Sequence, residues 1–132
     1  MTRAVARVGD LVTIYITNNI TNYQVGVHCK DKNHDIGLQN INVGESYIFT
    51  LVPTFLIPRT LYFCSFSWPK GFHYFDIYVQ SRDQEDCRPE KQCHWIIKES
   101  GPCKIKSGSV DCFNWNTNVV LGGKQLGHNL NM

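Results

Sequence analysis

The sequence predicts an all-β fold, a small antiparallel β-sandwich of about seven to eight short strands with disulfides. Apolar and polar residues alternate along most of the chain, turn residues separate the alternating segments, and six cysteines lie in or beside them. Cytosolic thiols stay reduced, so an even number of cysteines in short strands indicates disulfides and an extracellular location. At 132 residues, folding buries enough surface for one core, which disulfides would reinforce.

The first three predicted strands each have an apolar face and a polar face. In Leu11–Thr17, valine and isoleucine alternate with threonine and tyrosine, and in Gln24–Lys30 two valines and a cysteine alternate with polar residues. In Ser46–Leu51, tyrosine, phenylalanine and leucine occupy every second position. Between these segments, Asn18–Asn22 predicts a turn and Asp31–Gly44 predicts a polar loop.

The second half of the chain continues the pattern. Leu61–Trp68 is apolar or aromatic on both faces, which predicts a central strand that is covered on both sides. Pro69-Lys70-Gly71 has the length of a hairpin connection, and no window of ten residues shows a helical period. The remaining predicted strands are Phe72–Val79, Cys93–Glu99 and a hairpin of Lys104–Lys106 with Ser109–Phe113 around Ser107-Gly108.

These elements predict one domain at residues 11–115, with an N-terminal leader of the mature chain at 1–10 and a flexible tail at 116–132. Residues 1–10 lack the apolar run of a secretion signal, so we expect a mature portion behind an added Met1 or an incomplete gene start. No stretch approaches eighteen apolar residues, and no transmembrane segment is expected.

Composition excludes two classes of protein. Apolar residues make up 42% and aromatic residues 12%, which is too rich for a disordered chain. Charged residues make up only 18%, the net charge is +2, and lysine and arginine are scattered along the chain. Nucleic-acid binding needs a clustered basic face, so no nucleic-acid partner is expected.

The six cysteines allow fifteen pairings, and the sequence alone does not choose among them. Local geometry favours the sequential pattern Cys29–Cys64, Cys87–Cys93 and Cys103–Cys112, because the last pair falls across the final hairpin and the second flanks a short loop. The nearest rival joins Cys29 to the 87–93 region. In a chain-entropy estimate, the long loop contributes roughly 4 kcal/mol and each short loop about 2.5 kcal/mol.

The same region offers a zinc alternative with Cys87, Cys93, His94 and Cys103 as ligands. Its spacing fits no common zinc motif, and His94 falls on the strand face opposite Cys93. We therefore expect no metal and no other cofactor.

Calcium binding and catalysis receive less support. A calcium loop that begins at Asp31 and includes Asp35 lacks the glutamate at its twelfth position, where Asn42 stands. A nucleophilic Cys29 beside His28 is disfavoured, because adjacent strand residues point to opposite faces. No spacing singles out an acid and a base, so no catalytic residue is expected and a secreted hydrolase ranks last.

Asn19-Ile20-Thr21 is an N-glycosylation sequon in the turn after the first strand. A turn is accessible to the glycosylation machinery, so Asn19 is the expected attachment site.

Short motifs follow one another in a definite order between Leu11 and Trp115. They are Val27–Lys30, Asp35–Gly37, Gly44–Phe49, Leu61–Trp68, Phe75–Tyr78, Arg82-Asp83, Cys93-x-Trp95, Gly101–Cys103 and Cys112-x-x-Trp115. These motifs resemble, in that order, motifs of the plant self-incompatibility S1 family, whose members are also called S-protein homologues. The loop Asp31-Lys32-Asn33-His34 departs from the family, which tends to carry Ser-Lys-Asp-Asp there.

The resemblance implies a small secreted plant β-sandwich that is stabilised by disulfides and in some members glycosylated. The founding members are pistil ligands that pollen recognises and that block self-fertilisation. The expected function is therefore that of a non-enzymatic signalling ligand, a monomer that binds a cell-surface receptor or another extracellular protein through its loops.

Three loops are the candidates for partner binding: Asp31–Gly37, Val52–Arg59 and Gln84–Gln92. The second carries an apolar tip between two prolines, and little ordering entropy is lost when a rigid tip binds. The alternative, in which this loop folds back over the open end of the sandwich, is equally compatible with the sequence. The candidate contact residues are Asp31, Asp35, Phe55, Leu56 and Ile57.

The second function that the sequence allows is a carbohydrate- or cell-wall-binding module. Sugar sites need exposed aromatic rings beside polar groups, and Trp68, Phe72 and Tyr74 are the candidates.

Overall fold

Two β-sheets pack around one hydrophobic core in a computed structural model of the chain, which describes residues 11–53, 60–87 and 91–116 and the backbone of 120–121 and 124–125. A single helical turn, α1, covers Gln80–Asp83. The strands are β1 Val12–Asn18, β2 Val25–Lys30, β3 Asp35–Ile41, β4 Ser46–Leu51, β5 Leu61–Trp68, β6 Gly71–Val79, β7 Gln92–Lys98, β8 Gly101–Lys106, β9 Ser109–Cys112, β10 Val120–Leu121 and β11 Lys124–Gln125.

Sheet A has the strand order β4-β1-β7-β8-β9, and sheet B has the order β3-β2-β5-β6. Neighbouring strands are antiparallel except for β1 and β7, which are parallel. The pair β10–β11 is separate from both sheets. The all-β sandwich expected from the sequence is therefore confirmed, with nine strands in its two sheets rather than seven or eight.

The core forms because alternate residues of each strand face the opposite sheet. Ile14 and Ile16 of β1 are fully buried, as are Phe66 of β5 and Ile97 of β7. The residues between them on β1 and β5 are only partly buried, which gives the period of two that the sequence shows. Burying one such side chain contributes about 1.5–3 kcal/mol.

The prediction of a polar loop over Asp31–Gly44 was wrong, since Asp35–Ile41 forms β3. This strand lies at the edge of sheet B, pairs only with β2, and buries only Ile41. The other residues of this edge strand are exposed or only partly buried, so they show no apolar alternation and the sequence carried no period-two signal for it. The helical turn α1 also escaped prediction, because four residues are too few to show a period.

The strand β5 is central, as expected, but the expectation that it is covered on both faces was wrong. Tyr62, Cys64, Phe66 and Trp68 are buried, whereas the alternate residues on the other face are only partly buried. Among the described residues, no further layer encloses the second face of β5.

The structure contains the disulfides Cys29–Cys64, Cys87–Cys93 and Cys103–Cys112, the sequential pairs that local geometry favours. The first and the last join residues that are directly opposite each other on neighbouring strands. Cys29 and Cys64 lie wholly within the core. None of the cysteine sulfurs is therefore free to bind zinc or act as a nucleophile.

A buried ionic network connects α1 to β8. Lys104 has 2% of its side chain exposed, and its Nζ lies 2.5 Å from Asp83 and 2.8 Å from the half-exposed Asp86. The fully buried Asp83 carboxylate also accepts hydrogen bonds from the Arg82 guanidinium at 2.7 and 2.8 Å and from the Val79 amide at 2.8 Å. The Arg82 guanidinium lies over the rings of Phe75, Trp95 and Phe113.

Candidate functional site

The described parts of the three candidate loops lie at one end of the sandwich, which we call the loop end. There β2 ends and β3 begins, β4 ends and β5 begins, and α1 leads to the start of β7. The pairing of Val12 with Leu51 and of Thr13 with Gln92 places the sheet A connections together. The opposite end, which we call the far end, contains residues 19–24, 42–45, 69–70 and 99–100.

An open cleft of about 570 Å³ lies at the loop end between the two sheets. Its floor contains the buried side chains of Leu51 and Tyr62. On its rim, Leu11 is 58% exposed and Val52 is 53% exposed, and the polar residues of the 31–34 loop lie beside them. The arrangement, an apolar floor with a mixed rim, is suited to accommodating an apolar side chain of a partner.

The 31–34 loop is held in place by the carboxylate of Asp31. It accepts hydrogen bonds from the amides of Asn33 and His34 at 2.8 and 2.5 Å, and it contacts the His34 ring at 3.0 Å. Burial opposes ionisation of Asp31, but these hydrogen bonds outweigh it and lower its pKa. Burial, the negative charge of Asp31 and a hydrogen bond to that carboxylate raise the pKa of Tyr62 to about 12.

The start of β3 is held in a similar way. His28 Nε2 lies 2.7 Å from Asp35 Oδ1, and the amide of Gly37 donates to the same oxygen at 2.9 Å. The hydrogen bond with His28 lowers the pKa of Asp35. Gly37 has φ +102°, a conformation that favours glycine. The Asp31–Gly37 loop therefore carries several internal constraints.

The hydroxyl of Tyr47 connects this loop to the opposite sheet. The regular pairing of β2 with β3 shifts between Cys29 and Lys30. At this bulge, the Tyr47 hydroxyl accepts a hydrogen bond from the Cys29 amide at 3.3 Å and donates one to the Gly37 carbonyl. Because Tyr47 belongs to β4 of sheet A, its hydroxyl links the two sheets, and its burial raises its pKa.

The structure places the predicted contact residues in different surroundings. Asp31 and Asp35 lie in one loop, but both carboxylates already accept hydrogen bonds within it. Phe55, Leu56 and Ile57 lie outside the described residues, although Val52 and Thr60, which flank that segment on either side, line the cleft. The part of Gln84–Gln92 that the structure describes does not line it.

Sequence reasoning missed Leu11 and Tyr62 as cleft residues, whereas Val52 is the first residue of the candidate loop Val52–Arg59. Tyr62 was identified only as part of the inward face of β5, and Leu11 only as the start of a strand. Neither assignment reveals that the ends of β1, β4 and β5 meet, because that depends on how the two sheets pack. The one available signal was the position of these residues next to candidate loops.

The carbohydrate platform of Trp68, Phe72 and Tyr74 is not formed. Trp68 and Tyr74 are 8% and 5% exposed, and only Phe72 is accessible, at 55%. Phe72 also packs edge-on against Tyr74. Three buried or edge-packed rings do not offer a sugar the exposed faces it requires.

The residues that the sequence offered as metal ligands or as a glycosylation site also lie apart from one another. Cys93 faces the core, whereas His94 faces outward and stacks on Tyr15. Asn19 is exposed at the far end, remote along every strand from the cleft. Among the residues that the structure describes, no cluster of three or more histidine, cysteine or acidic side chains is arranged to hold a metal. The same residues include no helix long and apolar enough to cross a membrane.

Comparison with known proteins identifies relatives of this chain. The sequence profile described as "Plant self-incompatibility protein S1" matches residues 13–115. S-protein homolog 2 of Arabidopsis thaliana is 38% identical over 114 residues, which is 81% of this chain and 70% of the relative. S-protein homolog 20 of the same plant is 39% identical over 109 residues, which is 82% of this chain and 78% of the relative.

A solved structure has the same fold at 15% identity, with a TM-score of 0.56 over 83% of this chain and 97% of the other. It is a Self-Incompatibility Protein Homologue, described as one of a widespread family of small, highly stable, secreted proteins from plants. With the family profile covering the whole sandwich and several relatives above 30% identity, the chain belongs to the plant self-incompatibility protein S1 family of S-protein homologues.

Proposed function

We propose that the protein is a secreted recognition ligand that acts by binding and not by catalysis. Its partner is an extracellular protein such as a cell-surface receptor. The family is described as secreted, and its name refers to self-incompatibility and not to an enzyme activity. All described cysteines are in disulfides, which are stable outside the cell.

The observation that carries the proposal is the cleft at the loop end. Leu11 and Val52 expose apolar surface on its rim, beside a loop that Asp31 and Tyr47 hold in a defined conformation. Exposed apolar side chains on a constrained frame favour binding, because little conformational entropy is lost when a partner covers them. The sandwich supplies rigidity, and the loops supply the contacts.

Replacing Val52 by serine should weaken binding of the fluorescently labelled protein to intact plant cells by about threefold or more, because a partner can no longer desolvate an apolar group there. The matched control is Val43→Ser at the far end, where valine has nearly the same exposure, 49% against 53%. This control should bind like the wild type. Both variants should melt within a few degrees of the wild type, since neither side chain is buried.

The apolar tip of the Val52–Arg59 loop, to which Val52 itself belongs, provides a stronger version of the same test. Phe55, Leu56 and Ile57 replaced together by serine should leave far-UV circular dichroism and melting nearly unchanged while binding falls further. A large loss of melting temperature would show that this segment packs on its own domain. If Val52→Ser and the triple variant both retain full binding and stability, the contact surface is elsewhere.

We further propose that Asn19 carries an N-linked glycan. Asn19 and Thr21 of the sequon are both exposed. Ile20 between them is buried, and its amide donates a hydrogen bond to the Asn18 side chain, which holds the turn in place. When the chain is secreted from a plant host, glycosidase treatment should lower its mass, and Thr21→Ala should remove that shift. Because Asn19 lies at the far end, Thr21→Ala should leave cell binding unchanged, whereas a wild-type chain without any mass shift would contradict the assignment.

A further inference from the structure

The three disulfides differ in their access to solvent. Both cysteines of the Cys29–Cys64 bridge are fully buried, and those of the Cys87–Cys93 bridge are 4% and 2% exposed. In the Cys103–Cys112 bridge, Cys103 is also buried, whereas Cys112 is exposed. Because thiol–disulfide exchange requires contact between the attacking thiolate and a sulfur, Cys112 is the one cysteine of the six that offers access in the folded protein.

The position of this bridge in sheet A gives the access a direction. Cys103 lies on β8, and Cys112 lies directly opposite it on β9. β9 is the last strand of sheet A, and no described strand lies beyond it. A thiolate approaches a sulfur in line with the bond that breaks, so attack on Cys112 comes from the side away from Cys103. That side faces the edge of the sheet.

Neither of the other bridges has such an approach. The Cys29–Cys64 bridge joins β2 to β5, and a further strand follows on either side, β3 beyond β2 and β6 beyond β5. Its cysteines belong to the hydrophobic core, as do those of the Cys87–Cys93 bridge. Reduction of either bridge therefore requires the sandwich to open first.

The described charges beside Cys112 are paired with each other. Asp111, its neighbour in sequence, lies with its Oδ2 2.7 Å from the Nζ of Lys106. The hydrogen bond with Asp111 raises the pKa of Lys106, so the cation persists at the alkaline pH at which thiolates form. An approaching thiolate anion therefore meets a compensated carboxylate and not a free negative charge.

We propose that the Cys103–Cys112 disulfide is a thiol-exchange site, at which an external dithiol attacks Cys112 and opens the bridge in the folded protein. The thiolate of the dithiol forms a mixed disulfide with Cys112, and Cys103 leaves as a thiolate that takes up a proton. The second thiol of the reagent then displaces Cys112 and passes its proton to it. The dithiol is thereby oxidised to a disulfide, and both cysteines are reduced to thiols.

The opened bridge would free β9 from its covalent link to β8. The two strands pair over only four residues each, and the chain then continues to Phe113 and Trp115. Two hydrogen bonds hold that continuation independently of the disulfide. The Phe113 amide donates to the Pro102 carbonyl at 2.9 Å, and Trp115 Nε1 donates to the Glu99 carbonyl at 2.9 Å. Reduction should therefore loosen β9 and leave the rest of the sandwich folded. This site is independent of the loop end.

The test is partial reduction of the native full chain with dithiothreitol, followed by alkylation and peptide mass spectrometry. Cys103 and Cys112 should become alkylated at least about tenfold faster than the other four cysteines, while far-UV circular dichroism is unchanged. The amides of β9 should then exchange hydrogen at least about tenfold faster, whereas those of β2 and β5 keep their protection. Alkylation of all six cysteines together, or of none before the fold is lost, overturns the proposal. A reduced bridge with β9 as protected as before overturns the loosening.

The point of attack is tested with two single variants. Cys103→Ser leaves Cys112 as a free thiol, and Cys112→Ser leaves Cys103. In the folded variants, the Cys112 thiol should react with an aromatic disulfide reagent at least about tenfold faster than the Cys103 thiol, and in denaturant the two rates should be similar. Equal rates in the folded variants overturn Cys112 as the attacked residue.

Discussion

Replacing Asp83 by asparagine is expected to lower the free energy of unfolding by about 3–5 kcal/mol, measured by chemical denaturation. The substitution keeps the size of the side chain and removes the charge that faces the Lys104 ammonium at 2.5 Å. Among the described carboxylates, Asp86 alone would remain close to the buried Lys104, and Arg82 would lose its bidentate acceptor. The penalty is large because a buried charge without its partner is much less stable than in water.

The same network supplies two controls. Asp111→Asn removes a partly exposed carboxylate from Lys106, and it should change stability far less than Asp83→Asn. The double variant Asp83→Leu/Lys104→Met, which removes both buried charges, should be clearly more stable than Asp83→Asn. If Asp83→Asn and Asp111→Asn lowered the free energy of unfolding equally, the burial of the Asp83–Lys104 pair would add nothing to the cost of breaking it.

Trp95→Ala should also lower the free energy of unfolding by about 3–5 kcal/mol, the usual cost of removing a large buried aromatic side chain. Trp95 is 1% exposed, and its ring centroid lies 5.3 Å from that of Phe75 and 5.6 Å from that of Phe113. It also lies beneath the Arg82 guanidinium and beside the Lys104 ammonium. The cavity would therefore weaken the core and admit water to the ionic network.

Phe72→Ala is the matched aromatic control. Phe72 is 55% exposed and packs on one side against Tyr74, so only the loss of that aromatic pair, about 0.5–1.5 kcal/mol, is expected. The two variants should be compared by their denaturation midpoints. Equal falls in the two midpoints would show that removing the buried Trp95 ring destabilises the fold no more than removing the exposed Phe72 ring.

Local patterns in the sequence were sufficient to predict the strands that contribute to the core. Each of these strands has one face against the opposite sheet, so the period of two is imposed by burial itself. The final hairpin was predictable because Ser107 and Gly108 form a two-residue connection, with Gly108 at φ +80°. That hairpin also brings Cys103 opposite Cys112.

Features that depend on distant contacts could not be predicted in the same way. The partner of Asp83 is Lys104, on a strand that lies beyond two loops. The alternation of Lys104, Ile105 and Lys106 favours Ile105 as the inward residue, whereas the structure buries Lys104 and leaves Ile105 38% exposed. The cleft needs the packing of the two sheets, and sheet A needs β1 to pair with β7. Neither arrangement is encoded in the alternation of any single strand.

The parallel pairing of β1 with β7 has a consequence for the order of folding. Sheet B is built from residues 25–79, and its strands can pair as soon as that stretch has left the ribosome. Sheet A places its first strand between β4 and β7, so β1 has one neighbour only until residue 98 has been synthesised. Closing such a long loop is entropically unfavourable and slow. We expect sheet B, with the Cys29–Cys64 bridge, to form first and to serve as the template on which the second sheet assembles.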